Sequence, residues 1–511
     1  MNTCLTVHIF VTMIYPELCV HIEVKPEILM IVEEILDHEL IRIIKETRMK
    51  KTDLTQGSIL KGLIMMALPI MGTSFLQMAY NLTDMIWIGR LGSRAVAAVG
   101  TAGFFTWLGF ALIRLTQIGV EVWVSQSVGR KDEVAARKYA RSAVQMNFVL
   151  ALLFSAFIIV FRNPLIGFFN IDDAWVNSQA IDYLVIVAAA MVFQFSNQVF
   201  SGIFNGSGDS KTPFKINTIG LIANMILDPL LIFGIGGFAG MGVKGAALAT
   251  AISHIVVFTI FWITMRHQER DLFHFQIFKA PDFDAMREIF KTGLPVGVQS
   301  GAFTIFAMII GRVIAAWGPI PIAVQKVGSQ IEALSWMTAS GFSTALGTFT
   351  GQNYGAKQWE RIKKGYFIAL QIMTVVGIMV TALLIFGAEP LFKIFIQEPE
   401  SVAVGVVYLK ILGLSQLFMC VEITTSGAFN GLNKTLPPSL VSIIFTGLRV
   451  PGAIILSRPE LLGLEGVWWS ISMSSVLKGI VLVGWFSTLL LTSRLTPDWK
   501  QKSKSDVCCE S

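Results

Sequence analysis

Twelve apolar stretches, each roughly 20 residues long, constrain this chain more than any other feature. A stretch of that length crosses the ~30 Å hydrocarbon layer of a bilayer as one α-helix. Charged residues make up only 14% of the 511 residues, against about 25% in a typical soluble domain. The polar loops between the stretches are too short to form a water-soluble domain. The chain is therefore predicted to be an all-α polytopic membrane protein with twelve transmembrane helices.

The predicted transmembrane segments fall into two groups of six. The first group is 59–86, 96–124, 139–161, 183–206, 214–235 and 243–265. The second group is 288–316, 322–350, 365–387, 405–428, 438–457 and 464–491. The longest polar stretch between segments is 266–287, which we interpret as the linker between an N-lobe (57–265) and a C-lobe (288–491). An N-terminal extension (1–56) and a tail (492–511) flank the lobes.

Most of the N-terminal extension, the stretch 1–48, differs from the rest of the chain. It mixes short apolar runs with charges and lacks the basic start, apolar core and cleavage site of a signal peptide. Met49-Lys50-Lys51 has the form of a natural protein start, so we expect the stretch 1–48 to be an artefact of start-site choice. The alternative is an amphipathic helix near 27–48 that lies on the membrane surface.

Basic residues concentrate in the loops on one side of the predicted membrane protein. Arg130 and Lys131 follow the second segment and Lys357 follows the eighth, whereas Asp172 and Glu398 lie in loops of the opposite side. Loops rich in Lys and Arg stay in the cytoplasm. The protein is therefore expected to be a multi-pass protein of the plasma membrane with both termini in the cytoplasm. The net charge of +6 comes from these loops and indicates no nucleic-acid partner.

The two lobes repeat each other, because four motifs recur later in the chain at a nearly constant offset. The pairs are Leu68-Pro69 with Leu294-Pro295, Gln126–Gly129 with Gln352–Gly355, Tyr183-Leu184 with Tyr408-Leu409, and Phe204–Gly206 with Phe429–Gly431. Each lobe has an even number of segments, so both start on the same side of the membrane. Such parallel repeats are related by an axis along the membrane normal, and the substrate is expected to bind between them.

Ionisable side chains inside the membrane are candidates for function, since one at mid-bilayer costs about 2.5–3.5 kcal/mol on insertion scales. Asp84 lies near the outer end of the first segment, with Tyr80 one turn and Gln77 two turns before it. In the fifth segment Asn224 and Asp228 are four residues apart and share a face.

Pro229 follows Asp228, and because it lacks an N–H it frees the carbonyl of Met225. Two carboxylates, an amide and a free carbonyl suit a hard cation such as Na⁺. The same carboxylates can carry a proton instead, because burial and a neighbouring negative charge both favour the neutral acid. The sequence leaves the choice between H⁺ and Na⁺ open.

Further polar groups lie inside the predicted membrane segments. Arg114 and Glu121 share one face of the second segment and are predicted to form a structural ion pair. Gln198, Glu332 and Glu422 are predicted to contact the substrate in its cavity.

Several of these motifs together resemble the multidrug and toxic compound extrusion (MATE) family. They are the Leu-Pro pair of the first segment, Tyr80–Asp84, Gln126–Gly129, Phe204–Gly206, Asp228–Gly234 and Gly242–Thr250. The resemblance covers about residues 57–490. It implies a V-shaped pair of six-helix bundles that exports drugs or metabolites against an inward flow of H⁺ or Na⁺.

The resemblance also implies roles for particular residues. Asp84, Asn224 and Asp228 match the cation-coupling positions of the branch of the family with an N-lobe cation site. Tyr80, Gln77 and Thr250 match further positions of that site.

Other classes of membrane protein fit the sequence less well. A primary pump would need a phosphate-binding Gly-x-x-x-x-Gly-Lys-Ser/Thr loop, which the sequence lacks. A membrane enzyme would need a catalytic loop, and the one Asp-x-Asp motif, Asp282–Asp284, is explained by helix capping. A lipid-linked saccharide flippase of the related polysaccharide-exporter type remains the alternative, although it usually has a strongly cationic cavity.

The predicted function is thus a cation-coupled antiporter that exports drugs, toxic compounds or metabolites by alternating access between two lobes. No catalytic residues, resident metal or cofactor are expected besides the coupling ion. The expected partners are a cationic or amphiphilic small molecule and the lipid bilayer, and the protein is expected to be a monomer. The sequence identifies neither the substrate nor the coupling stoichiometry.

Overall fold

The structure is a computed structural model that describes residues 53–234 and 239–492. The N-lobe contains α1 (Ile59–Gly89), α2 (Ser93–Gly129), α3 (Glu133–Val160), α4 (Arg162–Gly167), α5 (Ala174–Gly206), α6 (Lys211–Phe233) and α7 (Val243–Arg266). The C-lobe contains α8 (Phe283–Ala315), α9 (Pro319–Gly355), α10 (Trp359–Phe386), α11 (Ala388–Lys393), α12 (Pro399–Gly413), α13 (Gln416–Gly431), α14 (Leu436–Leu456) and α15 (Leu464–Leu491). The expectations for the stretch 1–48 and for the tail after 492 concern parts of the chain outside the described residues.

The described helices account for all twelve predicted transmembrane segments. Ten are long and apolar enough to cross a membrane, and α12 and α13 form an eleventh as a pair bent by 47°. The twelfth is α9, which is 37 residues long but richer in polar side chains. Most of its second half is buried, with Thr348, Gln352 and Asn353 inside the protein, so α9 does not have to be apolar there. The predicted fold class, an all-α polytopic membrane protein, is confirmed.

Most of the predicted segments are shorter than the corresponding helices. The helix for 183–206 already begins at Ala174, where the Asp173 carboxylate accepts hydrogen bonds from the backbone N–H groups of Trp175 and Val176. Such a cap starts a helix outside the apolar run. The predicted segment 405–428 is broken rather than continuous, and the Thr381 hydroxyl donates to the carbonyl of Gly413 at the break.

The Asp-x-Asp motif at the start of α8 caps this helix through Asp282, as predicted. The Asp282 carboxylate accepts a hydrogen bond from the backbone N–H of Ala285 at 3.0 Å and forms an ion pair with Lys138 at 2.9 Å. These two contacts hold the pKa of Asp282 below its usual range.

Backbone conformation shows the internal repeat directly. Lys131 and Lys357, which occupy equivalent positions in the two lobes, adopt left-handed φ values of 60° and 59° directly after α2 and α9. Gly208 and Asn433, a second equivalent pair, follow α5 and α13 with φ values of 92° and 58°. The two lobes therefore end corresponding helices with the same turns.

The lobes contact each other through α2 and α9, with α8 packed on α2 and α1 packed on α9. At the contact the two Gln-x-x-Gly motifs face each other. A Cβ atom added to Gly129 would lie 1.9 Å from the carbonyl oxygen of Gln352, and one added to Gly355 would lie 2.1 Å from that of Gln126. Only glycine permits this backbone approach.

Both glutamine side chains also reach across to the opposite lobe. The amide of Gln126 donates to the carbonyl of Gly431 at 2.9 Å, and the amide of Gln352 donates to the carbonyl of Gly206 at 3.1 Å. The repeated Gln-x-x-Gly and Phe-Asn-Gly motifs are thus paired across the lobes, and they join the ends of α2 and α9 at which the basic loops begin.

Candidate cation-coupling site

A buried polar cluster in the N-lobe is formed by four helices, α1, α5, α6 and α7. Asp84 lies on α1, and Asn224 and Asp228 lie one turn apart on α6. The amide of Asn224 donates to Oδ1 of Asp228 at 3.1 Å, and both side chains are fully buried. Asp84 lies close enough to Asp228 for their charges to interact.

Aromatic and hydroxyl groups complete this N-lobe cluster. Tyr80 lies one turn before Asp84 on α1 and interacts electrostatically with both carboxylates. Thr250 on α7 is buried beside the phenol of Tyr80. The sequence-predicted residues Asp84, Asn224, Asp228, Tyr80 and Thr250 therefore lie together in the structure. Their role in cation coupling remains a prediction.

Five buried oxygens of the cluster have no partner in good hydrogen-bond geometry among the described residues. They are Tyr80 Oη, Asp84 Oδ1, Asn224 Oδ1, Asp228 Oδ2 and Thr250 Oγ1. Buried polar atoms are almost always paired, so a group of unpaired ones calls for an explanation such as a bound ion. Carboxylate, amide and hydroxyl oxygens offer lone pairs to a cation, and each carboxylate can also take up a proton. The arrangement fits either coupling ion.

Gln77 does not share this environment. Its side chain is exposed, two turns before Asp84 on α1, and no hydrogen bond joins it to the cluster within the described ranges. A place for Gln77 in the cation site stays a prediction from the resemblance.

The sequence reasoning missed two members of the cluster. Tyr183 on α5 is buried and interacts electrostatically with Asp84 and Asp228. Its recurrence as Tyr408 was the available signal, because Tyr408 also faces an acid in the C-lobe. His254, one turn after Thr250 on α7, stacks on the ring of Tyr80 with 6.4 Å between the ring centroids.

The acids of the C-lobe are in a different situation, because each has an internal partner. The phenol of Tyr408 donates to Oε1 of Glu332 at 2.5 Å, and the amide of Gln416 donates to Oε2 at 3.4 Å. Glu422 forms a buried ion pair with Lys478 at 3.4 Å. Neither carboxylate of the C-lobe is left without a donor.

Two cations inside the C-lobe were overlooked at the sequence level. Besides Lys478 on α15, Arg449 on α14 lies inside the lobe and donates to the hydroxyls of Ser474 and Ser475. The two acids Glu332 and Glu422 are therefore accompanied by two cations inside the same lobe, Arg449 and Lys478.

A cavity of about 110 Å³ lies between α2 of the N-lobe and α8, α9, α13 and α14 of the C-lobe. Arg114 and Glu121 both line it. The predicted ion pair between them does not form as a direct contact in the described part of the chain, although their charges still interact. Gln198, Glu332 and Glu422 are not among the residues that line this cavity, so their contact with substrate stays a prediction.

Two similar helical lobes around a shared interface, with ionisable groups buried inside each, define a multi-pass membrane protein of the parallel-repeat class. The family model MatE matches residues 69–230 and 295–455, well over half of the chain. The two matches begin at Pro69 and Pro295, the equivalent prolines of the repeat. The chain belongs to the MatE family of transporters, and the resemblance recognised from the motifs is confirmed.

Curated relatives match the chain along most of its length. A protein of Thermotoga maritima named "Probable multidrug resistance protein NorM" is 29% identical over 454 residues, which cover 87% of this chain and 94% of the relative. A protein of Shewanella oneidensis named "FAD transporter" is 25% identical over 443 residues, which cover 84% of this chain and 94% of the relative.

A solved structure has the same fold. It is described as the outward-facing conformation of a multidrug resistance MATE family transporter, and it aligns with a TM-score of 0.81 at 24% identity. The alignment covers 87% of this chain and 98% of the solved one.

Proposed function

We propose that the protein is an antiporter that exports drugs or other toxic compounds and is driven by inward movement of H⁺ or Na⁺. The observation that carries the proposal is the set of unpaired buried oxygens around Asp84 and Asp228. An intramembrane acid without a partner is costly unless an ion or a proton neutralises it. The membership in a transporter family and the relatives named for multidrug resistance support the export of small molecules.

The coupling site belongs to the N-lobe. The C-lobe acids Glu332 and Glu422 are bonded to Tyr408 and Lys478, respectively. An incoming cation would have to displace these internal partners, whereas in the N-lobe it would meet free oxygens. This difference supports a single coupling site in the N-lobe, at which Asp84 and Asp228 share one ion.

The charge of the loops supports a cytoplasmic location for the closed side of the transporter. The lobes are joined at the ends of α2 and α9, directly before the basic residues Arg130, Lys131 and Lys357. Because basic loops stay in the cytoplasm, the joined ends face inward and solute leaves toward the outside. We infer a monomer in the plasma membrane, with each lobe covered by lipid on its outer faces.

The flippase alternative gains no support from the cavity. A phosphate-linked lipid head would need several cations, but among the lining residues Arg114 is accompanied by the acid Glu121.

One relative is named for the transport of FAD, so the solute chemistry in this family is not restricted to cations.

Efflux from proteoliposomes tests the proposal. A cationic dye should leave the vesicles through the wild-type protein under an imposed Na⁺ or pH gradient. The gradient that drives efflux identifies the coupling ion. Asp84→Asn should abolish this efflux while the protein still folds. Glu389→Gln is the matched control, because Glu389 is an exposed acid paired with Lys393. Normal efflux by Asp84→Asn would contradict the coupling role.

A further inference from the structure

The cavity between the lobes contains an arginine without a direct partner. Arg114 is half-buried on α2 and lines the cavity. Within residues 53–234 and 239–492 it makes neither an ion pair nor a hydrogen bond. An arginine inside a membrane segment is costly unless it is paired or faces water, and it presents five N–H donors in a planar fork. The guanidinium is therefore available to an anionic group.

The acid of the same cavity is also only weakly engaged. Glu121 is buried, and the hydroxyl of Thr348 donates a long hydrogen bond of 3.4 Å to its carboxylate. Asn430 on α13 adds Oδ1, which is buried and has no partner in the described part of the chain. The cavity thus offers hydrogen-bond donors on Arg114 and acceptors on Glu121 and Asn430.

The spacing and the size of the cavity restrict the ligand. Arg114 and Glu121 are seven residues apart on one helix, which places their Cα atoms about 10 Å apart along the axis. A ligand that meets both must carry its opposite charges several ångströms apart. A volume of about 110 Å³ is smaller than the roughly 300 Å³ of a small drug pocket. A cavity of this size fits the charged head of a solute rather than a whole drug molecule.

We propose that this cavity is the binding site for a zwitterionic solute, in which Arg114 binds a carboxylate or phosphate and Glu121 faces the cationic part. Arg114 is then a specificity-determining residue that favours solutes bearing an anion over purely cationic ones. The inference rests on the proposed export function and adds the solute class. A water-soluble zwitterion is favoured over a lipid head group, because helices of both lobes line the cavity.

The test uses two dyes that differ in one group: rhodamine B, which has a free carboxylate, and its cationic ethyl ester. Binding to the purified protein is followed by fluorescence anisotropy, and efflux is followed in proteoliposomes. Arg114→Gln should weaken rhodamine B binding about 10- to 100-fold, as expected for a lost charged hydrogen bond. Binding of the ester should be unchanged, and Arg114→Lys should restore part of the preference. Lys326→Gln is the control, since Lys326 is an exposed cation on α9 outside the cavity.

The possible results separate the two proposals. Equal weakening of both dyes by Arg114→Gln, or no weakening of either, would overturn the role of Arg114 while wild-type efflux still supports the antiporter. Displacement of rhodamine B from the wild-type protein by phosphatidylethanolamine would assign the cavity to a lipid and overturn the solute proposal. If the wild type exports neither dye under any gradient, the proposed function fails first, and the inference fails with it.

Discussion

Replacing Gly129 with alanine should disrupt the contact between the lobes. The added Cβ atom would lie 1.9 Å from the carbonyl oxygen of Gln352. The obstacle is backbone rather than a flexible side chain, so α2 and α9 must move apart by about 1 Å or more to restore a van der Waals distance. Overpacking of this kind costs about 1–3 kcal/mol, which corresponds to a shift of roughly 5- to 150-fold in the equilibrium between joined and separated ends.

Two measurements test the effect of Gly129→Ala. The melting temperature of the purified variant should fall by several degrees, and the initial rate of dye efflux should fall because the joined state is less populated. Gly103→Ala is the matched control, since Gly103 lies on the same helix and an added Cβ there meets nothing within 4 Å. Wild-type stability and efflux in Gly129→Ala, or the same losses in Gly103→Ala, would refute the reasoning.

Three further predictions follow from other parts of the molecule. Gln126→Met should lower the free energy of unfolding by about 1 kcal/mol, since it removes the hydrogen bond to the Gly431 carbonyl; an unchanged melting temperature would contradict this. The Arg94 guanidinium holds the pKa of Asp173 below its usual range, so this pair stabilises the fold above about pH 4 and less as the pH falls. The difference in melting temperature between wild type and Asp173→Asn should therefore narrow between pH 7 and pH 3.5, and a constant difference would argue against it. Exchange of one monovalent cationic dye for one ion should not respond to a membrane potential clamped with K⁺ and valinomycin, whereas movement of one net charge would add about 2.3 kcal/mol per 100 mV.

The fold was largely predictable from the sequence, because hydrophobic length and the repeat act locally along the chain. The recurrence of Gln126–Gly129 as Gln352–Gly355 identified two equivalent lobes, and in the structure these two motifs meet where the lobes contact each other. The break between α12 and α13 was not predictable in this way. At the break, the carbonyl of Gly413 accepts a hydrogen bond from Thr381, a residue of another helix. The apolar pattern of the segment does not indicate this contact.

The candidate site was predictable where its residues are close in sequence. Asn224 and Asp228 share a face through their spacing alone, and the cost of a buried carboxylate singled out Asp84. Tyr183 joins the cluster through tertiary packing, so only its recurrence in the C-lobe gave a hint. Lys478 is different, because an isolated charge in an apolar segment is visible in the sequence. Its ion pair with Glu422 changes the interpretation of the C-lobe.

The central claim is that Asp84 and Asp228 share one coupling ion. A double-mutant cycle measures it directly, with gradient-driven efflux compared in the wild type, Asp84→Asn, Asp228→Asn and the double variant at equal amounts of folded protein. Residues that act as one unit give non-additive effects. The account predicts that each single change abolishes coupled efflux and that the double variant is no worse than either. Substantial efflux in either single variant, or single defects that multiply in the double variant, would contradict it.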